Sequence, residues 1–168
     1  MIRLRPFRLE DEDRARTAHA ELKELDHFPF LLGYTEGDRW TDFLSHWEAM
    51  RRGERVPERS VPATLLAATV EGELVGRVSV RHELNDWLAA YGGHIGYAVV
   101  PSQRRRGYAI KMLRQALVVA RSLGIDEALL MCDENNIASA RVIERCGGEL
   151  DSVVVAQDGS RLRRYWIR

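Results

Sequence analysis

The sequence predicts one α/β domain with a mixed sheet of about seven strands and helices on both faces. Three observations support this prediction. The 168-residue chain is long enough for one well-buried core but short for two. Its 45% hydrophobic and 30% charged residues are ordinary for a globular protein. Strand-like and helix-like hydrophobic periods alternate along the chain, which favours helices packed on a sheet.

The first third is predicted to form a short strand and two helices. Ile2 to Leu4 reads as the strand, and helically spaced apolar residues predict helices over about Glu10 to Glu24 and Asp38 to Arg52. Between the helices, His27 to Tyr34 is aromatic but interrupted by proline and glycine, which predicts a loop that carries apolar surface. A polar connection, Gly53 to Pro62, follows.

The remaining chain is predicted to combine strands with two further helices. Period-two patterns predict a hairpin and then a buried strand that Pro101 ends. A final hairpin turns at Asp158-Gly159. The predicted strands are Ala63 to Val70, Leu74 to Arg81, His94 to Val100, Glu127 to Cys132, Leu150 to Ala156 and Leu162 to Ile167. The predicted helices run from Gly107 to Gly124 and from Ile137 to Cys146.

Composition argues against several classes of protein. Lys and Arg total 25, as do Asp and Glu, so no overall positive field exists to attract nucleic acid or an anionic membrane. Cys132 and Cys146 lack the spacing of a zinc site, and we expect them to be reduced and packed. No signal-like segment or run of roughly eighteen apolar residues occurs. We therefore expect a cytoplasmic protein without metal, nucleic-acid or membrane partners.

The loop after Pro101 carries the clearest indication of a ligand. Arg104 to Arg106 precede Gly107, and the small residue Ala109 follows at the start of the next helix. The first N–H groups of a helix lack partners within it and lie at the positive end of its dipole, so they suit phosphate oxygens. Gly107 and Ala109 leave room for phosphate near the backbone. Taken alone, the pattern also fits a solvated charge run at a helix start.

Two blocks together resemble the GCN5-related N-acetyltransferase (GNAT) superfamily. Arg104, Gly107 and Ala109 match the family's acyl-CoA signature of Arg or Gln, two residues, Gly, one residue, and Gly or Ala. The segment from Asn136 to Gly148 resembles the helix of the family that begins with Asn, two residues, and Ser or Ala. The resemblance covers roughly Ala63 to Ile167 and is closest to the ribosomal-protein-acetyltransferase-like branch.

The resemblance implies a single GNAT-like domain over residues 1–168, with a splay between the fourth and fifth strands that admits the pantetheine of acetyl-CoA. It implies transfer of an acetyl group from this cosubstrate to a primary amine by direct attack in a ternary complex. The acceptor is a small-molecule amine or a peptide N-terminus, and a homodimer is left open. The implied cofactor-binding residues are Val99, Val100, Arg104, Arg105, Arg106, Gly107, Tyr108, Ala109, Ile110, Asn136 and Ser139. Asn136 equally suits a helix N-cap.

The acid that protonates the departing CoA thiolate is not defined by the resemblance. Many family members use a tyrosine on the short helix, and Ile143 stands at that position here. Tyr97 and Tyr108 are the alternative acids, although aromatic residues beside a core more often pack. An acyl-CoA-binding regulatory module on the same fold, without catalysis, is therefore the alternative function.

The candidate base and oxyanion donor lie on or beside the central strand. His94 is the first candidate base because its ordinary pKa is near neutral. Glu83 and His82, at the end of the preceding strand, come second. His94 equally fits a satisfied strand histidine. A main-chain N–H near Val99 is the expected oxyanion donor.

The acceptor site is expected in the first third of the chain. Phe28, Phe30, Tyr34 and Trp40 lie near several acidic residues in the sequence. Aromatic rings with carboxylates suit a cationic amine. The same aromatic residues also fit an ordinary role in covering the core.

Overall fold

A computed structural model describes all 168 residues and confirms the order of strands and helices read from the sequence. The strands are β1 (Ile2–Pro6), β2 (Ala63–Val70), β3 (Glu73–Arg81), β4 (Ile95–Val99), β5 (Ala128–Asp133), β6 (Glu149–Val155) and β7 (Arg161–Ile167). The helices are α1 (Glu12–Asp26), α2 (Trp40–Arg52), α3 (Tyr108–Ser122) and α4 (Ile137–Arg145).

The seven strands form two hydrogen-bonded sheets that meet at one point. In the first sheet β1, β2, β3 and β4 pair antiparallel in chain order, and in the second β7 lies between β5 and β6. The sheets touch where His94, just before β4, donates its main-chain N–H to the Leu129 carbonyl at 2.7 Å. Beyond this contact β4 and β5 belong to separate sheets. The splay expected between the fourth and fifth strands is therefore present.

Helices cover both faces of this framework, each over its own apolar cluster. Met112 and Leu113 of α3 and Ile143 of α4 belong to the cluster on one face. Leu22 of α1 and Phe43 of α2 belong to the cluster on the other. The apolar residues of α3 recur at spacings of three and four, so they form one buried side of the helix. No helix combines the length and apolarity needed to cross a membrane.

The segment before β4 differs from the expected loop. Leu88–Gly92 form a turn of π-helix, and Gly93 follows with a left-handed φ of 69°. A Cβ atom at position 93 would lie 2.5 Å from the carbonyl oxygen of Leu129. Glycine at this position therefore allows the chain to approach β5 at the one point where the two sheets meet.

Candidate active site

The arginine-rich loop forms the entrance to α3 and leaves the first N–H groups of the helix free. Gly107 is the N-cap, with a left-handed φ of 74°, and no side chain caps the helix. The N–H groups of Tyr108, Ala109 and Ile110 have no main-chain acceptor. Arg105, just before them, is exposed and also left-handed, with φ 67°. The dipole of the 15-residue helix adds partial positive charge here, so the entrance suits a pyrophosphate.

The other two arginines of this loop lie in different surroundings. Arg104 forms an ion pair with Asp26, the last residue of α1, and the two side chains are 40% and 39% exposed. Arg106 and Tyr108 line an open groove of about 300 Å³ whose walls include the acidic turn Glu71 to Glu73. Carboxylates in that groove would repel a phosphate. The groove is therefore an unfavourable place for the pyrophosphate.

Alternation along β4 decides which main-chain groups face the splay. Val100 donates its N–H to the Val75 carbonyl at 2.9 Å and accepts from the Gln103 N–H at 2.8 Å. Successive residues of a strand point their N–H groups to opposite sides, so those of Tyr97 and Val99 point away from β3 and into the splay. The free main-chain donor expected at Val99 is available. The N–H of Val100 is already engaged within the protein, so of the two positions expected near the pantetheine, Val99 is the one with a free donor.

Two hydroxyl groups connect β4 to α4 beside the splay. Asn136 caps α4 by accepting from the Ser139 N–H at 3.0 Å, so its side-chain oxygen fills the N-cap role that the sequence left open. The Ser139 hydroxyl lies 2.8 Å from the Tyr97 hydroxyl. Burial, above all other causes, raises the pKa of Tyr97, so its hydroxyl stays protonated. The pair is therefore protonated at neutral pH and offers hydroxyl hydrogen-bond donors rather than a base.

The remaining groups near the splay carry no obvious acid or nucleophile. Ile143, at the position of the family's tyrosine, is 0% exposed and fills the core. Burial raises the pKa of the Cys132 thiol, which favours the unreactive protonated form. No group of three or more His, Cys, Asp or Glu residues is arranged to hold a metal ion.

His94 is held by a hydrogen bond that fixes its tautomer. The Leu129 N–H donates to His94 Nδ1 at 2.9 Å, so in the neutral ring the proton is on Nε2. Burial, and then the positive charge of Arg81, lowers the pKa of His94. Neither ring nitrogen offers a free lone pair in this arrangement. The geometry therefore favours the satisfied strand histidine over the catalytic base.

The second-choice bases lie in the bend after β3. The ring of His82 shares a hydrogen bond of 2.8 Å with the Thr64 hydroxyl, and burial lowers its pKa. Glu83 is exposed. Of the three candidate bases, Glu83 is the exposed residue, whereas His82 is half-buried and His94 is buried.

One of the four aromatic candidates for the acceptor site is substantially exposed. Phe30 and Trp40 are 0% and 3% exposed and belong to the core beneath α1 and α2. Tyr34 is half-buried and packs edge-on against neighbouring rings. Phe28 is 46% exposed and lies over the Arg77 guanidinium at 5.3 Å. The assignment of Phe30 and Trp40 is corrected to core packing, because no substrate can reach them.

Sequence reasoning did not single out two arginines of β3. Arg77 is 1% exposed, and its Nε and Nη2 donate to the carbonyls of Phe30 and Pro29, each at 3.0 Å. Arg81 lies four residues further along the same face of the strand. Alternation of valine with polar residues in β3 indicates a solvated face, but residues 26–31, here called the covering segment, lie over it. The aromatic character of that segment was the one available signal, since such a loop needs a surface to cover.

The splayed strands and the open start of α3 define an α/β domain of the acyltransferase class. The model of the acetyltransferase (GNAT) domain family matches residues 2–149. The chain therefore belongs to the GNAT acetyltransferase family, as the resemblance predicted. No curated protein matches the chain by sequence.

Solved structures share the fold over nearly the whole chain. Mycobacterium smegmatis RimJ in complex with CoA-disulfide has a TM-score of 0.75 and 20% identity, over 99% of this chain and 81% of that one. RimL, a ribosomal L7/L12 α-N-protein acetyltransferase in complex with CoA, has a TM-score of 0.70 and 18% identity, over 99% and 93%. The microcin C7 self-immunity acetyltransferase MccE, in complex with acetyl-CoA and AMP, has a TM-score of 0.70 and 16% identity, over 99% of this chain and 91% of that one. At these identities the likeness establishes the fold.

Proposed function

We propose that residues 1–168 form one N-acetyltransferase that moves the acetyl group of acetyl-CoA to a primary amine by direct attack in a ternary complex. The observation that carries this proposal is a series of free main-chain donors. The N–H groups of Tyr97 and Val99 face the splay, and those of Tyr108, Ala109 and Ile110 open at the start of α3. Membership of the GNAT family supports an acetyl-CoA-dependent reaction.

The free donors suit the two polar parts of the cosubstrate. The N–H groups at the start of α3 would hold the pyrophosphate, with Arg105 at the rim. The N–H of Val99 would bind a carbonyl of the pantetheine arm or of the acetyl group, where charge develops during attack. Acetyl-CoA supplies an acetyl group activated as a thioester. Holding it against an amine accounts for most of the required rate enhancement, because positioning removes the entropy cost of the encounter.

Tyr97 and Ser139 are the proposed hydroxyl pair that assists the departing CoA in place of a tyrosine at position 143. Their hydroxyl groups are 2.8 Å apart, so Tyr97 can donate a hydrogen bond to Ser139 while Ser139 donates its own hydrogen toward the CoA sulfur. The raised pKa of Tyr97 keeps its proton in place, so the pair stabilises the thiolate by hydrogen bonding, and water supplies the proton that the thiolate takes up. A thiolate is a good leaving group, so a weak acid is sufficient.

Glu83 is the proposed base for the acceptor ammonium, acting directly or through water. Its carboxylate is exposed at the end of β3, whereas His94 uses Nδ1 to accept from a main-chain N–H. The acceptor is a small-molecule amine or a peptide N-terminus. RimL is named for a protein α-amine, so peptides belong among the acceptors to be tested.

The decisive experiment measures release of the CoA thiol from acetyl-CoA in the presence of a panel of primary amines and short peptides. We expect release that depends on the amine, with the acetylated amine detected by mass spectrometry. Acetyl-CoA binding without thiol release for any acceptor would instead favour the regulatory module. The Glu83→Gln variant tests the base, since loss of turnover that is recovered at higher pH is expected only if Glu83 takes up the proton.

A further inference from the structure

Three polar side chains of β3 face one point above the central strand. Arg77, Ser79 and Arg81 alternate along the strand and therefore share the face that carries α1 and α2. Ser79 pairs directly with Gly96 of β4. A Cβ atom at position 96 would lie 3.0 Å from Ser79 Oγ, 3.5 Å from Arg81 Nη1 and 3.6 Å from Arg77 Nη1. Gly96 thus allows a hydroxyl and two guanidinium groups to converge closely over the strand, where even a Cβ atom would crowd Ser79 Oγ.

The two guanidinium groups have no counter-charge in the protein. Neither arginine takes part in an ion pair. Arg77 donates from Nε and Nη2 to carbonyls, and its Nη1 donates to nothing. Arg81 Nη1 makes only long contacts of 3.4 Å to the carbonyls of Gly92 and Gly93. Burial, and then the charge of Arg81, lowers the pKa of Arg77 to about 9. Two buried like charges are unfavourable unless an anion joins them.

The exposed side of this cluster is the side of Arg81. Arg81 and Gly96 are partly exposed, whereas Arg77 is 1% exposed. Phe28 lies over the Arg77 guanidinium and helps to cover it. A ligand would therefore meet Arg81 first.

We propose that Arg77 and Arg81 bind an anionic group, a carboxylate or a phosphate, carried by the acceptor amine. Placement of this subsite on the acceptor side rests on the proposed acetyltransferase function. Gly96 directly precedes Tyr97, whose N–H faces the splay, so an anion held above Gly96 leaves an amine a few atoms away beside that opening. Guanidinium groups pair well with carboxylate and phosphate oxygens, and Ser79 adds a third donor. The acceptor side is therefore basic, unlike the acidic and aromatic pocket expected from the sequence.

The first test compares amines that differ only in the charge of a second group. Glycine is paired with glycinamide, and O-phosphoethanolamine with ethanolamine. We expect kcat/KM to be at least about tenfold higher for one anionic amine than for its neutral partner, mainly through KM. The pair that shows the preference identifies carboxylate or phosphate as the anion. Equal kcat/KM values within both pairs would overturn the inference and leave the acetyltransferase proposal standing.

Two variants then distinguish recognition of the anionic group from a purely structural role of the arginines. Arg81→Gln is expected to abolish the preference for the anionic amine while the KM for acetyl-CoA and the kcat/KM for the neutral amine stay within about twofold. Arg14→Gln, an exposed arginine of α1, is the matched control and is expected to change nothing. Arg77 also binds the covering segment, so Arg81 is the more informative position. An Arg81→Gln loss that falls equally on charged and neutral amines would mean a structural role and overturn the inference.

A binding measurement distinguishes this inference from the proposed function. The protein is titrated calorimetrically with the same four amines in the presence of CoA. Binding of an anionic amine that Arg81→Gln weakens at least about tenfold supports the subsite even where no thiol is released, and then the acetyltransferase proposal alone fails. Anionic and neutral amines that bind equally overturn the subsite, whatever the thiol assay shows.

Discussion

The two sides that we propose for the splay differ in their donors. The proposed cofactor side has main-chain N–H groups from β4 and the first turn of α3, whereas the proposed acceptor side has the guanidinium groups of Arg77 and Arg81. The direction of a main-chain donor is set by backbone conformation, whereas the charge and accessibility of a side-chain donor depend on the residues packed around it. The cofactor side should therefore be sensitive to changes in backbone conformation and tolerant of changes in charge. The acceptor side should respond in the opposite way.

The largest effect is expected from Gly107→Val, which changes the backbone on the cofactor side. Gly107 has φ 74°, and a β-branched residue is strongly strained there. The entrance to α3 would then have to adopt another conformation and lose its converging N–H groups. We expect the Kd for acetyl-CoA to rise roughly a hundredfold by calorimetry.

The matched control for this change is Gly107→Asn, because asparagine tolerates the left-handed region. No other group lies within 4 Å of a Cβ atom at position 107, so a clash inside the protein is not the cause. The asparagine variant is therefore expected to retain most of the affinity. Equal losses in both variants would mean that the bulk of a side chain, rather than φ, decides cofactor binding.

The second effect concerns the hydroxyl pair that connects the two sides. Tyr97→Phe and Ser139→Ala each break the 2.8 Å contact and remove a proton donor. We expect kcat to fall about tenfold in each variant with little change in the KM for acetyl-CoA, and the double variant to be no worse than either single one. Ser122→Ala, which removes an exposed hydroxyl at the end of α3, serves as the control. Fully additive losses would show that the two hydroxyls do not act as one unit.

A smaller effect is expected at His94, where we expect a substitution to change the pH dependence of stability but not that of turnover. Burial lowers the pKa of His19, His82 and His94 in the folded protein. The unfolded chain therefore binds protons more readily near pH 6, and stability that is complete above that range is lost as pH falls toward the folded-state pKa values.

The measurement compares urea unfolding of the wild type and His94→Gln at about pH 7.5 and about pH 5.5. We expect the variant to lose part of the pH dependence, since it removes one of the three histidines whose pKa burial lowers. The pH profile of turnover should keep its shape. If the variant instead shifted the part of the turnover profile that rises near neutral pH, His94 would again be the candidate base.

The fold followed from local patterns more fully than the site did. The hydrophobic periods of α3 and the turn between β2 and β3 are local signals, and each element appears where it was predicted. The π-turn at Leu88–Gly92 has no such period. Its position depends on Gly93 packing against Leu129, a contact between residues far apart in the chain. Such contacts leave no local pattern to read.

The difference between local and long-range signals also explains why the sequence did not predict the arginines of the proposed acceptor side. The alternation of Arg77, Ser79 and Arg81 with valines is typical of a half-exposed strand. Only the docking of the covering segment, through its carbonyls, buries this face. By contrast, the start of α3 could be predicted because a glycine at a helix entrance is both the local signal and the functional feature.

The smallest effect is expected from removing one side-chain charge on the proposed cofactor side. Asp26 pairs with Arg104, and both are about two-fifths exposed, where ion pairs contribute roughly 1 kcal/mol or less. Asp26→Asn would free Arg104 for phosphate, and we expect the Kd for acetyl-CoA to fall about twofold to fivefold at low salt, with the difference lost at high salt. Asp13→Asn, an exposed acid of the same helix, is the control. A change above about tenfold would mean that side-chain charge matters here as much as the main chain, and the contrast between the two sides would not hold.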